Sequence, residues 1–118
     1  MKDKTESQEQ QMLIAACEQL GYPYNMIYHC PNGGSRMPIE AAKLVREGVK
    51  AGVPDLFLPL AREDYHGLYI EMKVGKGRLS KKQKEWLGRL EDHGYKCQVC
   101  YSGQEALGEI KRYVKSVY

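Results

Sequence analysis

The 118-residue chain contains no apolar run approaching the roughly 20 residues that a helix needs to span a bilayer. Its opening stretch, M-K-D-K-T-E-S-Q-E-Q-Q, is polar and charged and lacks the apolar core of a signal peptide. No low-complexity segment, internal repeat or Pro/Gly/Ser-rich linker interrupts it, which excludes extended disorder, a solenoid and a visible second domain. These absences predict one soluble, cytoplasmic domain over residues 1–118, with residues 1–5 expected to be flexible. That length suffices to bury one core.

A second C-x-x-C is also missing. The four cysteines stand at 17, 30, 97 and 100, and Cys97 and Cys100 form C-Q-V-C inside Y-K-C-Q-V-C-Y, which reads as a strand. Residues three apart on a strand point to opposite faces, and no further Cys or His pair completes a tetrahedral set. No zinc is expected, and the cysteines read as buried thiols of a reducing compartment. Acids are missing from one local stretch: Lys73 to Lys84 holds six Lys or Arg and no Asp or Glu. The net charge of +3 says little by itself. A local block containing Lys76, Arg78, Ser80, Lys81 and Lys82 can neutralise phosphates. It can equally be a solvated loop and helix face.

What is present alternates between helical and strand periodicity. A first helix is expected from about Ser7 to Leu20, on the stripe Glu6, Gln10, Leu13, Cys17, Leu20, with Met12 and Ala16 beside it and a capping-box pattern at Ser7 and Gln10. Gly21 and Pro23 end it. Tyr24–Cys30 alternates and reads as a strand, followed by the turn-rich loop P-N-G-G-S-R-M-P, whose backbone N–H groups with Ser35 and Arg36 can hold a phosphate or simply turn the chain. Pro38 opens a helix to about Glu47, with Ala42, Val45 and Val49 on one side. Strands are expected at Val53–Leu60, Gly67–Val74 and Tyr95–Tyr101. A helix capped by Ser80 runs to His93, and one capped by Ser102 covers Gly103–Lys115. The order αβαββαβα predicts an α/β fold, one mixed sheet flanked by helices.

Three charges sit where strands should be apolar: Asp55, Glu71 and Lys73. A lone buried carboxylate costs several kcal/mol unless it is paired or binds metal. Glu71 and Lys73 are two apart on a strand and share a face, and Asp55 opens the neighbouring strand of a hairpin. Two carboxylates with the Met72 backbone carbonyl form part of an octahedral shell for Mg²⁺ or Mn²⁺, with Lys73 beside an attacking water or a phosphate. A structural salt-bridge network of the same residues is the competing reading.

The motifs Pro54-Asp55 and Glu71-Met72-Lys73 resemble those of the PD-(D/E)xK nucleases. The ordered blocks P-N-G-G-x-R, E-G-V-K-A-G-V-P-D-L-F-L-P, H-G-L-Y-I-E-M-K and G-R-L-S-x-x-Q-x-x-W-L, between Pro31 and Leu87, resemble the VRR-NUC branch, and its stand-alone phage and bacterial members in particular. The resemblance implies a restriction-endonuclease-like core. It implies Asp55 and Glu71 as metal ligands, Lys73 as the catalytic lysine, and Gln83 hydrogen-bonding near that lysine or the scissile phosphate. It places Glu6, with Glu9 as a rival, as a helix-borne acid acting through a water, and Asn32 and Arg36 near DNA. It further implies a homodimeric endonuclease of DNA repair that cuts branched DNA, four-way (Holliday) junctions foremost. A restriction-type or exonucleolytic enzyme of the same chemistry and a non-catalytic nucleic-acid-binding module are the alternatives.

Overall fold

The computed structural model describes residues 2–33 and 37–116. Helix α1 spans Lys2–Leu20, and after a 3-10 turn at Tyr24–Met26 the first strand, β1, is Tyr28–His29. Then follow α2 (Pro38–Arg46), β2 (Leu56–Leu58), β3 (Leu68–Met72), α3 (Lys81–Asp92), β4 (Lys96–Cys100) and α4 (Gly103–Lys115). The strands form one sheet in the order β1-β2-β3-β4, antiparallel except for the last pair. Helix α3 is the crossover that makes β3 and β4 parallel. The element order and mixed-sheet α/β class are those predicted.

The core lies on one face of the sheet. Leu13 and Cys17 of α1 and Ala106, Ile110 and Tyr113 of α4 bury Leu56, Leu58, Leu68, Ile70, Met72 and Cys100. The even-numbered positions of β3 therefore face α1 and α4. Glu71, on the alternate parity, faces the other way, where α3 packs on β4. The C-x-x-C pair splits by the same parity. Cys100 is in the core, whereas Cys97 sits under α3 with its Sγ 3.8 Å from the Leu87 carbonyl. Burial pushes both thiols up to about 12, so neither supplies a thiolate at neutral pH.

Several local expectations are corrected. Helix α1 begins at Lys2, so Ser7 is interior and is no cap; its Oγ accepts from Gln11 Nε2 at 3.0 Å. Leu20 and Met12 of the expected stripe are exposed. The aromatic run Tyr24–Cys30 yields a strand of only two residues because its first half turns as 3-10 helix. On α2, the inward side holds Ala41 and Leu44, not Ala42 and Val45, and the helix buries no residue fully. Strand β2 starts after Asp55 rather than at Val53. Pro54 lacks an N–H, and Asp55 spends its carboxylate where the ladder would continue.

Candidate active site

Asp55 is fixed at its backbone and at both carboxylate oxygens. Its carbonyl accepts from Cys30 N–H at 2.7 Å and from His29 Nδ1 at 2.9 Å. Its Oδ2 accepts from Met72 N–H at 2.7 Å, making by side chain the rung after the Leu56–Ile70 pair. Its Oδ1 accepts from Asn32 Nδ2 at 3.2 Å. A strand residue sends its N–H and C=O to the same edge. The Met72 carbonyl therefore lies on the edge that Asp55 occupies.

Glu71 stands at the sheet end beside it, 2% exposed. Its Oε2 accepts from Gln83 Nε2 at 3.1 Å and lies 3.9 Å from Lys73 Nζ. Its Oε1 is buried with no hydrogen-bond partner. Burial first, then the charge of the neighbouring Asp55 carboxylate and a side-chain hydrogen bond shared with it, push the Glu71 carboxyl up to about 9, against the downward pull of Lys73 and with a last small push from Glu6. Two adjacent carboxylates are both acceptors, so a proton or a cation must stand between them.

Gln83 is oriented by the start of α3. Ser80 Oγ accepts from Gln83 N–H at 3.1 Å and Gln83 Oε1 accepts from Ser80 N–H at 2.8 Å, a complete capping box. With Oε1 bound to an N–H, the amide end facing Glu71 must be the NH₂. The sequence pattern S-x-x-Q carried this signal. Lys73 follows β3 and donates its N–H to the Cys100 carbonyl at 2.9 Å, which anchors the side chain next to Glu71.

Asp55, Glu71 and Gln83 line a cleft of about 660 Å³ together with Glu6, Ser7, Gln10 and Gln11 of α1, His29 and Asn32, with Lys73 outside its lining. The Glu6–Glu9 ambiguity separates geometrically. Glu6 lines the cleft, whereas Glu9 Oε1 accepts from Gly103 N–H at 2.7 Å, at the start of α4. His29 was not among the expected residues. A carbonyl only accepts, so His29 Nδ1 carries the proton toward Asp55, and Gln10 Nε2 at 3.3 Å, also a donor, makes no hydrogen bond to it in that tautomer. Arg36, with Gly34 and Ser35, lies outside the described residues. Lys76, Arg78, Lys81 and Lys82 are exposed beside the cleft rather than in it, and Ser80 serves as the N-cap of α3.

The VRR-NUC domain family matches residues 4–104. The chain belongs to the VRR-NUC family. A solved structure described as a VRR-NUC domain protein is 33% identical, with 94% of this chain and 88% of that chain covered at a TM-score of 0.80. A comparison with curated proteins finds no match. The VRR-NUC domain is of the PD-(D/E)xK type, so family membership implies a nuclease-type function with DNA as partner.

The VRR-NUC site suits a divalent cation on its own geometry. Glu71 Oε1 is a buried acceptor without a donor, next to a second carboxylate. Among the described residues no three His, Cys, Asp or Glu side chains converge into a closed cage. A small hard cation that keeps waters and binds one or two carboxylates matches such an open set. Among the described residues no helix is long and apolar enough to cross a membrane.

Proposed function

We propose that this VRR-NUC protein is a Mg²⁺- or Mn²⁺-dependent endonuclease that hydrolyses phosphodiester bonds in branched DNA, four-way junctions foremost, as a homodimer. The observation that carries the reading is the buried Glu71 Oε1, an acceptor without a donor beside Asp55. Neither Lys73 nor Gln83 serves that atom. Both instead approach Oε2.

When bound, the cation would supply Lewis-acid stabilisation of charge developing on the scissile phosphate. Asp55, Glu71 and the Met72 carbonyl would hold it. Asn32 and the Met72 N–H keep the Asp55 carboxylate in one orientation, and Gln83 does the same for Glu71. Lys73, one full side-chain period of extended chain from Glu71, offers its ammonium to the phosphate or to the attacking water, where it favours loss of that water's proton. Glu6, across the cleft on α1, accepts a proton or orients water. Asn32 and the basic residues Lys76, Arg78, Lys81 and Lys82, with Arg36, hold the backbone beside the cleft.

The test is incubation of the purified protein with labelled four-way junction, flap and linear duplex, in Mg²⁺, Mn²⁺ and EDTA in turn. Cutting of the junction in metal but not in EDTA is expected. Lys73→Ala is expected to lose about 100-fold or more in rate while its melting temperature and DNA affinity stay near native. Full activity of Lys73→Ala removes the site assignment, and equal cutting of plain duplex removes the junction preference. Intact DNA held equally in EDTA and Mg²⁺ identifies a binding module instead. Met37, Ile39 and Val45, exposed on and before α2, provide apolar surface for self-association. Sedimentation is expected to give about twice 13.5 kDa.

A further inference from the structure

The connection from α2 to β2 rests on the first turn of α3. Gly52, at φ +91°, approaches so closely that a Cβ there would stand 2.8 Å from Lys82 Cβ and 2.9 Å from the Lys82 carbonyl carbon. Before that contact, Lys50 and Ala51 line a groove of about 370 Å³ with Lys82, Glu85, Trp86 and Arg89 of α3. After it, Asp55 lines the cleft with Gln83, the α3 neighbour of Lys82. Groove and cleft thus adjoin along α3 and the α2–β2 connection, with no lining residue in common. At 1.5 Å rise per helical residue, Arg89 lies about 9 Å along α3 from Gln83, within two or three nucleotides at roughly 3.4 Å each.

Charge in the groove is unbalanced. Lys50, Lys82 and Arg89 face one carboxylate, Glu85. Glu85 and Arg89 stand at i and i+4 with the acid first, the spacing that favours a helical ion pair. That pair does not form: no ion pair or hydrogen bond joins Glu85 to Arg89. Three unneutralised cations around a concave surface with an indole in its wall attract a polyanion that also carries planar rings. A nucleic-acid strand has both properties. A simple anion lacks the rings, and an apolar peptide lacks the charge.

We propose that this groove seats the DNA strand leading away from the scissile phosphodiester, with Lys50, Lys82 and Arg89 against its phosphates and a base against Trp86. The proposal rests on the nuclease reading for where the scissile bond lies, and it extends the bound strand beyond the basic run that ends at Lys84.

Trp86 is the one tryptophan of the chain, so intrinsic emission reports on the groove. The full-length protein is titrated in EDTA with a synthetic four-way junction, and the expected result is saturable quenching. Lys50→Ala/Arg89→Ala is expected to bind about tenfold more weakly, with a plot of log K against log salt shallower by roughly two. Lys50→Arg/Arg89→Lys should bind as the native protein does. Trp86→Leu is expected to weaken binding by about fivefold or more, and Trp86→Phe much less. Unmoved emission at saturation, or an unchanged salt slope in the double variant, would overturn the groove whatever the cleavage assay gives. Quenching without any cutting by the native protein would overturn the substrate assignment instead, and the persistence of quenching tells the two failures apart.

Discussion

A carboxyl group buried beside another is neutralised by a proton or by a cation, and this choice makes Glu71 sensitive to pH. Its pKa is about 9 in the fold against an ordinary value of 4.5. Between those values the native state binds more protons than the unfolded chain. The contribution to stability is therefore full below about 4.5 and is lost as pH rises toward 9, with a limiting slope of about 1.4 kcal/mol per pH unit for one proton. Thermal melts in EDTA should fall steadily from pH 5 to pH 8.5, Glu71→Gln should flatten them, and Mn²⁺ should raise the native curve most at the alkaline end. A flat native curve in EDTA would contradict the burial account. Asp55 makes a complementary case. Asp55→Asn keeps an acceptor for Met72 N–H, whereas Asp55→Ala leaves that N–H unpaired, at roughly 1–3 kcal/mol if it stays buried. Both should lose cleavage, but only the alanine variant should lose marked stability in urea unfolding, less whatever is regained when Glu71 is freed of its neighbour. The charged members of this site were legible in the sequence because each is out of place in an apolar strand. His29 was not, because its partner is a backbone carbonyl and no side-chain pattern announces one.

Elements position these residues, and two acids on α1 separate scaffold from chemistry. Glu9 accepts from the first N–H of α4, and Gly103 is packed so tightly that a Cβ would meet the Glu9 carbonyl oxygen at 2.7 Å. Glu9→Ala should cost about 1 kcal/mol, as loss of a helix cap does, and leave the cleavage rate at saturating DNA unchanged. Glu6→Ala should reverse that pattern, with near-native melting and a depressed rate. The same result for both variants would dissolve the distinction. Gly52→Ala tests the other joint of the site. It combines a positive φ with a clash against α3 backbone, so roughly 1–3 kcal/mol of destabilisation is expected. Gln83 should shift with the first turn of α3, and activity should fall by more than the folded fraction does. Helix α3 was readable from Ser80 to His93, and α4 from Ser102 to Lys115, because cap chemistry and apolar stripe agree there. At α1 they disagreed. Ser7 is a plausible cap, yet the helix continues upstream to Lys2, with Lys4 and Glu6 as good helix formers and Asp3 and Thr5 as poor ones. The face of α2 was misread because a nine-residue helix with no fully buried side chain carries a weak stripe. Strand β1 was overread because aromatic alternation cannot reveal that the chain first turns as 3-10 helix.

At the scale of the whole molecule, the question is how a chain with a net charge of only +3 would select a DNA structure. The charge is small, but Lys76, Arg78, Lys81 and Lys82 gather beside the cleft, and Lys50 and Arg89 extend them along α3. Such contacts go to phosphates and carry no sequence information. Reading sequence needs side chains that donate to or accept from base edges in a groove. Helix α2 exposes Ile39 and Val45, which can do neither, and its exposed Lys43 and Arg46, which can donate, line neither the cleft nor the α3 groove. A good bidentate base contact discriminates by about 1–3 kcal/mol, or roughly 5- to 150-fold. Without one, permuting the arm sequences of a four-way junction should change the cleavage rate by less than about fivefold. Opening the same sequences into linear duplex should change it by much more, since the geometry that spreads phosphates from the cleft to the α3 groove is then lost. The check is a set of junctions with permuted arms, each paired with its linear counterparts, cut under single-turnover conditions in Mn²⁺. Rates that follow the sequence and ignore the branch would mean that bases are read, and would return the protein to the restriction-type alternative.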